Sequence, residues 1–369
     1  MVKRKADRDG SAKRKKERVR PPRYAPVEEE SEAEFIAAQK HALHLIQAGQ
    51  TSEANKFLAR RGFTHRLATC VLRYTYEEDL PPPSADSFSF AAADYRPYVR
   101  GADNALPPTM LNFMQEAFAS SDSPFWAAHQ YSVDPPSPYF SYVHDLSKPP
   151  SSGLEDVIHY LKNLAMERFP NVKNAKFAEW WTHCRPHNSG HQFHFDSADE
   201  GRDGVRNPIV STVMFLEAPV GGPTCVSDQA FGGTSLAKHG WLVHPKENRF
   251  VVFNGKVLHG VVPGRGPGRF SLLLKPRRVT FMVAFWEIDV RKPAPAPGAR
   301  PSSAMPLHWK DDAKWKAKLR PRCILPDAER QNVADDVTPL PVERVWERVA
   351  PMGAFESKMP GYDQCFQGF

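Results

Sequence analysis

The sequence predicts a mainly β core, a sandwich or jelly roll, with flanking α-helices, α+β overall. Two observations lead there. The hydrophobic period changes from helical to twofold after residue 169, and eight short alternating runs then follow at close spacing before residue 290. A third, the 35 prolines in 369 residues, implies extensive loops and linkers between the elements.

Taken in order, residues 1–33 are charged and nearly free of apolar side chains, so they are read as a disordered basic tail. From Phe35 the pattern is helical: Phe35, Ile36, Ala42, Leu45 and Ile46 share a face that ends near Gly49. Ala54, Phe57 and Leu58 mark a second short helix before Gly62, which makes a lone helical hairpin. Residues 80–108 are rich in Pro and Ser and read as loop. The clearest helix is 151–169, where Ser152 and Glu155 can form a capping box and Leu154, Val157, Leu161, Leu164 and Ala165 make the apolar stripe. The eight predicted strands are 177–184, 191–196, 209–216, 223–228, 240–244, 249–253, 256–262 and 277–286, with Asn254-Gly255 as a hairpin turn between two of them. A Pro/Ala linker over 291–306 precedes a C-terminal extension with one helix near Trp315.

Charge is unevenly placed. The first twenty residues hold ten Lys/Arg against three Asp/Glu, which accounts for the whole formal charge of +7; of the chain's 49 basic and 42 acidic residues, 39 of each remain. The clusters Lys3-Arg4-Lys5 and Lys13–Lys16 have the two-part spacing of a nuclear import signal, which would make an import receptor a partner and the nucleus the destination. The alternative is a solvated tail that touches nucleic acid loosely. A neutral remainder argues against a duplex-binding face, with only Arg265, Arg269, Lys275, Arg277 and Arg278 locally basic, so a protein or peptide substrate is favoured over nucleic acid. No apolar run approaches the roughly 18 residues of a membrane span, and the charged N-terminus does not read as a secretory signal. Cys70, Cys184, Cys225, Cys323 and Cys365 are scattered and odd in number, which fits a reducing compartment and no zinc motif.

Chemistry concentrates in "HQFHFD" (191–196). Strand alternation places His194 and Asp196 on one face and Phe193 and Phe195 on the other. A third ligand must come from elsewhere, and His259, in "KVLHGVV", is the candidate, its alternative being a satisfied core histidine on a Val-rich strand. Two histidines and a carboxylate with the remaining positions open suit a non-haem Fe(II) oxygenase, whereas structural zinc would want four closed ligands. By the same alternation His191 falls on the opposite face, His183 lies outside the unit and His187 in a loop; none of these is expected to bind metal. Trp180-Trp181 reads as core plus pocket wall.

With His194-Phe195-Asp196, Gly221-Gly222, "FNGKVLHGV" and Arg278-Val279-Thr280 in that order, the chain resembles the 2-oxoglutarate- and Fe(II)-dependent dioxygenases, in the branch that looks like the prolyl 4-hydroxylases, over roughly residues 125–288. The resemblance implies a double-stranded β-helix over 108–290, after a helical N-terminal region and Pro-rich loop (34–107) and before the linker and C-terminal extension (291–369). It implies His194, Asp196 and His259 as iron ligands and Fe(II), 2-oxoglutarate and O2 as cofactor and co-substrates, with ascorbate as an accessory reductant. It also implies hydroxylation of a C–H bond, such as one in a prolyl side chain, with 2-oxoglutarate converted to succinate. Arg278 would hold the far carboxylate of 2-oxoglutarate; Arg269, ten residues after His259, is the alternative. Cys184 stands where the family often has a tyrosine. A jumonji-like oxygenase acting on histones shares the His-x-Asp…His order but usually carries a lysine in place of Arg278. A nucleic-acid demethylase and a cupin-like binding module without iron chemistry are the other readings.

Overall fold

A computed structural model of the chain describes residues 31–79, 94–120, 123–134, 136–137, 140–198, 206–233, 235–266, 276–291, 302–304, 314–349 and 365–368. The basic tail through residue 30, most of the Pro-rich loop, Arg269 and most of the 291–306 linker lie outside those residues.

The chain opens with a helical hairpin, α1 (Glu32–Gln47) and α2 (Thr51–Arg60), then β1 (His65–Leu67) and a single turn, α3 (Thr69–Leu72). Next come β2 (Val99–Asp103), α4 (Pro108–Phe118), α5 (Pro124–Ala128), β3 (Ser141–Asp145) and α6 (Gly153–Arg168). The eight central strands follow: β4 (Phe177–Pro186), β5 (His191–His194), β6 (Val210–Glu217), β7 (Thr224–Ala230), β8 (Gly240–Val243), β9 (Phe250–Asn254), β10 (Val257–Val261) and β11 (Arg277–Trp286). After them come β12 (Ser302–Ala304), α7 (Lys314–Leu319), β13 (Asp335–Val337), β14 (Leu340–Val342), β15 (Trp346–Arg348) and β16 (Cys365–Phe366).

Apart from the β7–β8 hairpin, successive central strands alternate between two sheets. The larger sheet runs β12-β3-β4-β11-β6-β9-β2-β13 and the smaller β14-β8-β7-β10-β5. Thus β4, β6, β9 and β11 lie in one wall and β5, β7, β8 and β10 in the other, all antiparallel within their sheets. This is the jelly-roll wiring of a double-stranded β-helix. A third sheet, β15-β1-β16, joins the N-terminal helices to the last residues of the chain.

Helix ends follow the expected capping. Ser31 and Glu34 form a full capping box on α1. On α6 the Ser152 hydroxyl accepts from the Glu155 amide at 3.3 Å, but the Glu155 carboxylate turns to the amide and hydroxyl of Ser151 at 2.6 and 2.7 Å. All five residues of the predicted α6 stripe are buried, against the outer face of the large sheet. The α1 stripe is shifted: Ala42, Leu43, Leu45 and Ile46 are buried, while Phe35 and Ile36 are 45% and 36% exposed, because only the second half of the helix packs on α2 and α3.

Three expectations need correction. The 80–108 loop contains β2, which extends the large sheet between β9 and β13; Val-Arg-Gly-Ala-Asp carries little strand signal of its own and is ordered by the open edge of β9. Asn254-Gly255 does not close a hairpin, since β9 and β10 belong to different sheets. Gly255 is required there for space, because a Cβ would lie 2.2 Å from the Pro208 carbonyl oxygen. The C-terminal extension is more than an appendage: β13, β14, β15 and β16 add to all three sheets, so segments on both sides of residues 108 and 290 are interwoven.

Candidate metal and anion pocket

Between the two sheets lies an open pocket. The register of β4 against β11 pairs Trp181 with Met282, His183 with Thr280 and Arg185 with Arg278. Directly opposed residues of an antiparallel pair share a face, and all six of these line the pocket. Their neighbours point outward. Trp180 is fully buried in the core, Cys184 packs on that core's edge and Arg277 donates to the Ala119 carbonyl at 2.9 Å. Trp181 is pocket wall, as its alternation with Trp180 implies.

The smaller sheet contributes the metal-ligating end. His194 on β5 stands directly opposite His259 on β10, and Asp196 follows two residues after His194. Ligand atoms of the three lie within 4.8 Å of one another; among the described residues this is the one group of three or more that could hold an ion. His194 Nε2 is 3.3 Å from Asp196 Oδ1, and His259 Nε2 is 3.7 Å from Asp196 Oδ2.

Each imidazole is held from behind. His194 Nδ1 meets the Gln192 carbonyl at 2.7 Å and His259 Nδ1 meets the Val257 carbonyl at 3.0 Å. A carbonyl oxygen only accepts, so both Nδ1 atoms carry a proton and each ring presents its Nε2 to the carboxylate. The Ser211 hydroxyl on β6 donates to Asp196 Oδ2 at 2.6 Å, and the Asn207 amide holds the Asp196 carbonyl at 2.6 Å. Two imidazoles and one buried carboxylate, converging and fixed by a second layer of hydrogen bonds, fit a divalent transition metal such as Fe(II).

His191 departs from expectation. β5 has three steps between His191 and His194 where β10 has two between Val261 and His259, a β-bulge. The extra residue breaks strict alternation and turns His191 into the pocket. Its ring lies 4.7 Å from that of His194 and 5.5 Å from that of His183, so the lining carries four imidazoles in succession, His183, His191, His194 and His259. Phe193 points to the opposite side, where a Cβ on Gly260 would meet its ring at 2.4 Å. The Phe193 amide donates to the Gln367 side chain, so the last residues of the chain brace the strand that presents the triad.

Arg278 and Thr280 open β11 on the pocket side, with Arg278 4% and Thr280 6% exposed. The Arg278 guanidinium donates to the Gly222 carbonyl at 2.9 Å. Gly221 has φ +105°, and a Cβ there would lie 2.6 Å from Arg278 Nη1, so the Gly-Gly turn makes room for the guanidinium. Burial, and after it the Arg185 charge, lower the Arg278 pKa to about 10. Among the described residues no carboxylate forms an ion pair with either arginine.

Tyr131 and Arg185 are the residues that sequence reading missed. The Tyr131 hydroxyl accepts from the Cys184 amide at 3.1 Å and lies 3.4 Å from His183 Nδ1. A tyrosine hydroxyl therefore arrives beside position 184 from the segment after α5, where the sequence itself has cysteine. His187, in the β4–β5 turn as expected, accepts from the Gly221 amide at 3.2 Å and is structural.

No family model and no curated protein matches this chain. Among solved structures, a prolyl-4-hydroxylase from Pseudomonas putida aligns at 14% identity and TM-score 0.32, covering 53% of this chain and 92% of that one. A viral collagen prolyl hydroxylase from Paramecium Bursaria Chlorella virus-1, in a 2OG complex, aligns at 15% and 0.30, covering 51% and 95%. A 2OG-Fe(II) oxygenase family protein from Burkholderia pseudomallei aligns at 14% and 0.23, covering 40% and 62%. Likeness at this level carries no functional assignment, which rests on the pocket's own geometry.

Proposed function

We propose that the chain is an Fe(II)- and 2-oxoglutarate-dependent dioxygenase that hydroxylates a C–H bond of its substrate. One observation supports this above the rest. A His-Asp-His cluster that fits Fe(II) shares a pocket with Arg278, a buried guanidinium that has no carboxylate partner among the described residues. A buried cation without a counter-ion is strongly disfavoured unless an anion arrives to meet it.

His194, Asp196 and His259 would hold the metal, leaving its remaining positions toward the pocket. Bound there, Fe(II) with 2-oxoglutarate supplies an O2-derived oxidant for an unactivated C–H bond, and the keto acid leaves as succinate and CO2. Arg278 grips the far carboxylate through parallel N–H donors, a fork that lysine cannot reproduce, and this favours the present reading over a jumonji-like one. Thr280 lies on the same face two residues on. Trp181, Phe215 and Phe253 line the pocket and exclude water from the reacting atoms.

A protein or peptide substrate fits the neutral charge of the chain beyond residue 20 better than nucleic acid does. The basic tail is proposed to bind an import receptor and direct the protein to the nucleus. The chemistry is tested by incubating purified protein with Fe(II), O2 and 2-oxoglutarate and measuring succinate. Candidate peptides and oligonucleotides are then screened by mass spectrometry for the gain of one oxygen atom. Absence of succinate from folded, iron-loaded protein refutes the proposal.

A further inference from the structure

We infer that the pocket contains a second oxyanion position centred on Arg185, and that the group oxidised here belongs to a substrate carrying a carboxylate or phosphate near the reacting carbon. This rests on the Fe(II)/2-oxoglutarate reading above.

The register places Arg185 directly opposite Arg278, with both side chains on the pocket face. Like charges in that relation repel and destabilise the sheet, and burial deepens the penalty. The Arg185 pKa is lowered, mainly by burial. Among the described residues nothing anionic relieves it: its Nη1 donates to the Ser189 hydroxyl and the Gly190 carbonyl at 3.2 and 2.7 Å, and its Nη2 meets His191 Nδ1 at 3.3 Å. The Tyr131 hydroxyl is the other polar group facing this guanidinium, and the buried Nε–H has no acceptor of good geometry among the described residues.

Charge then decides how many anions the pocket takes. Fe(II) and Arg278 together carry three positive charges, and Asp196 with the two carboxylates of 2-oxoglutarate carries three negative ones. The loaded site is thus neutral without Arg185, whose charge is left for another anion.

The two guanidiniums are also tethered apart. Arg278 is held by Gly222, on the turn between β6 and β7, whereas Arg185 is held by the turn between β4 and β5 and leans on His191, beside the metal ligand His194. An anion on Arg185 therefore sits along the histidine wall and not on the Arg278 carboxylate.

The test is calorimetric. Wild-type protein is loaded anaerobically with Fe(II) and titrated first with 2-oxoglutarate, then with sodium acetate and, separately, inorganic phosphate. One further anion is expected to bind, phosphate the tighter if the substrate is phosphorylated and acetate if it is a carboxylate. Arg185→Gln should weaken that uptake by about tenfold or more, as expected for loss of a charge-assisted bond, with little change in 2-oxoglutarate affinity. Arg185→Lys, which keeps the charge, should retain part of it and guards against a folding artefact. The inference is overturned if the loaded wild type binds neither probe, or if Arg185→Gln loses 2-oxoglutarate as severely as Arg278→Ala does. In that second case Arg185 belongs to the co-substrate cradle. Failure of the wild type to bind 2-oxoglutarate at all is seen in the first titration and strikes the functional reading itself.

Discussion

The two walls of the pocket meet the same problem, burying charge, in opposite ways. On the metal-ligating side, Asp196 is buried with the Ser211 hydroxyl donating to its Oδ2, the Asn207 amide donating to its backbone carbonyl, and two imidazoles facing it whose Nδ1 protons are tied to carbonyls of their own strands. On the large sheet, Arg185 and Arg278 are set against each other with only neutral acceptors around them among the described residues. The first wall is arranged so that a cation completes it, and the second so that anions do. On the proposed reading, a metal and its anionic co-substrate would find their partners set out in one cavity before either is bound, which is the preorganisation that a positioned oxidation needs.

Breaking the metal wall should have the largest effect. His259→Ala or Asp196→Ala is expected to abolish Fe(II) binding, read by metal analysis after gel filtration, and succinate formation with it, while the fold persists. On the opposite wall, Arg278→Ala should weaken 2-oxoglutarate by more than about tenfold, consistent with roughly 1.5–3 kcal/mol for a hydrogen bond to a charged group, and leave Fe(II) affinity nearly unchanged. If Arg278→Ala loses iron instead, the walls are not separable. Supporting residues come next: Ser211→Ala removes the hydroxyl from Asp196 Oδ2 and should lower Fe(II) affinity about tenfold, the low end for residues that orient metal ligands. The smallest effect is expected for Gln367→Ala, which leaves the Phe193 amide without its acceptor. A stability loss of about 1–3 kcal/mol in urea unfolding, with metal binding retained, would show that the chain terminus braces β5 without shaping the ligands.

Most of the metal wall was legible in the sequence. His194 and Asp196 share one face by strand alternation alone, His259 was singled out by the order of the motifs and the family resemblance, and all eight central strands carry enough period-two signal to be placed. The pocket-facing position of Arg278 followed from its place at the start of a long β-like run. His191 could not be read correctly, because a bulge is a property of two strands in register and nothing within "HQFHFD" announces it. Arg185 and Tyr131 were hidden for the same kind of reason: one matters only when paired across to Arg278, and the other reaches position 184 from a segment fifty residues earlier. β13 to β16 are two or three residues long, too short for any periodic pattern, and exist because the main sheets leave edges for them to join.

The most direct measurement is the order of binding. Titrated with 2-oxoglutarate under anaerobic conditions, the wild-type protein should bind it well only after Fe(II) is present. His194→Ala should bind neither strongly, and Arg278→Ala should take up Fe(II) normally while losing affinity for the keto acid. Equal binding of 2-oxoglutarate with and without metal, or normal Fe(II) uptake by His194→Ala, would contradict a pocket in which one wall holds the metal and the other the co-substrate.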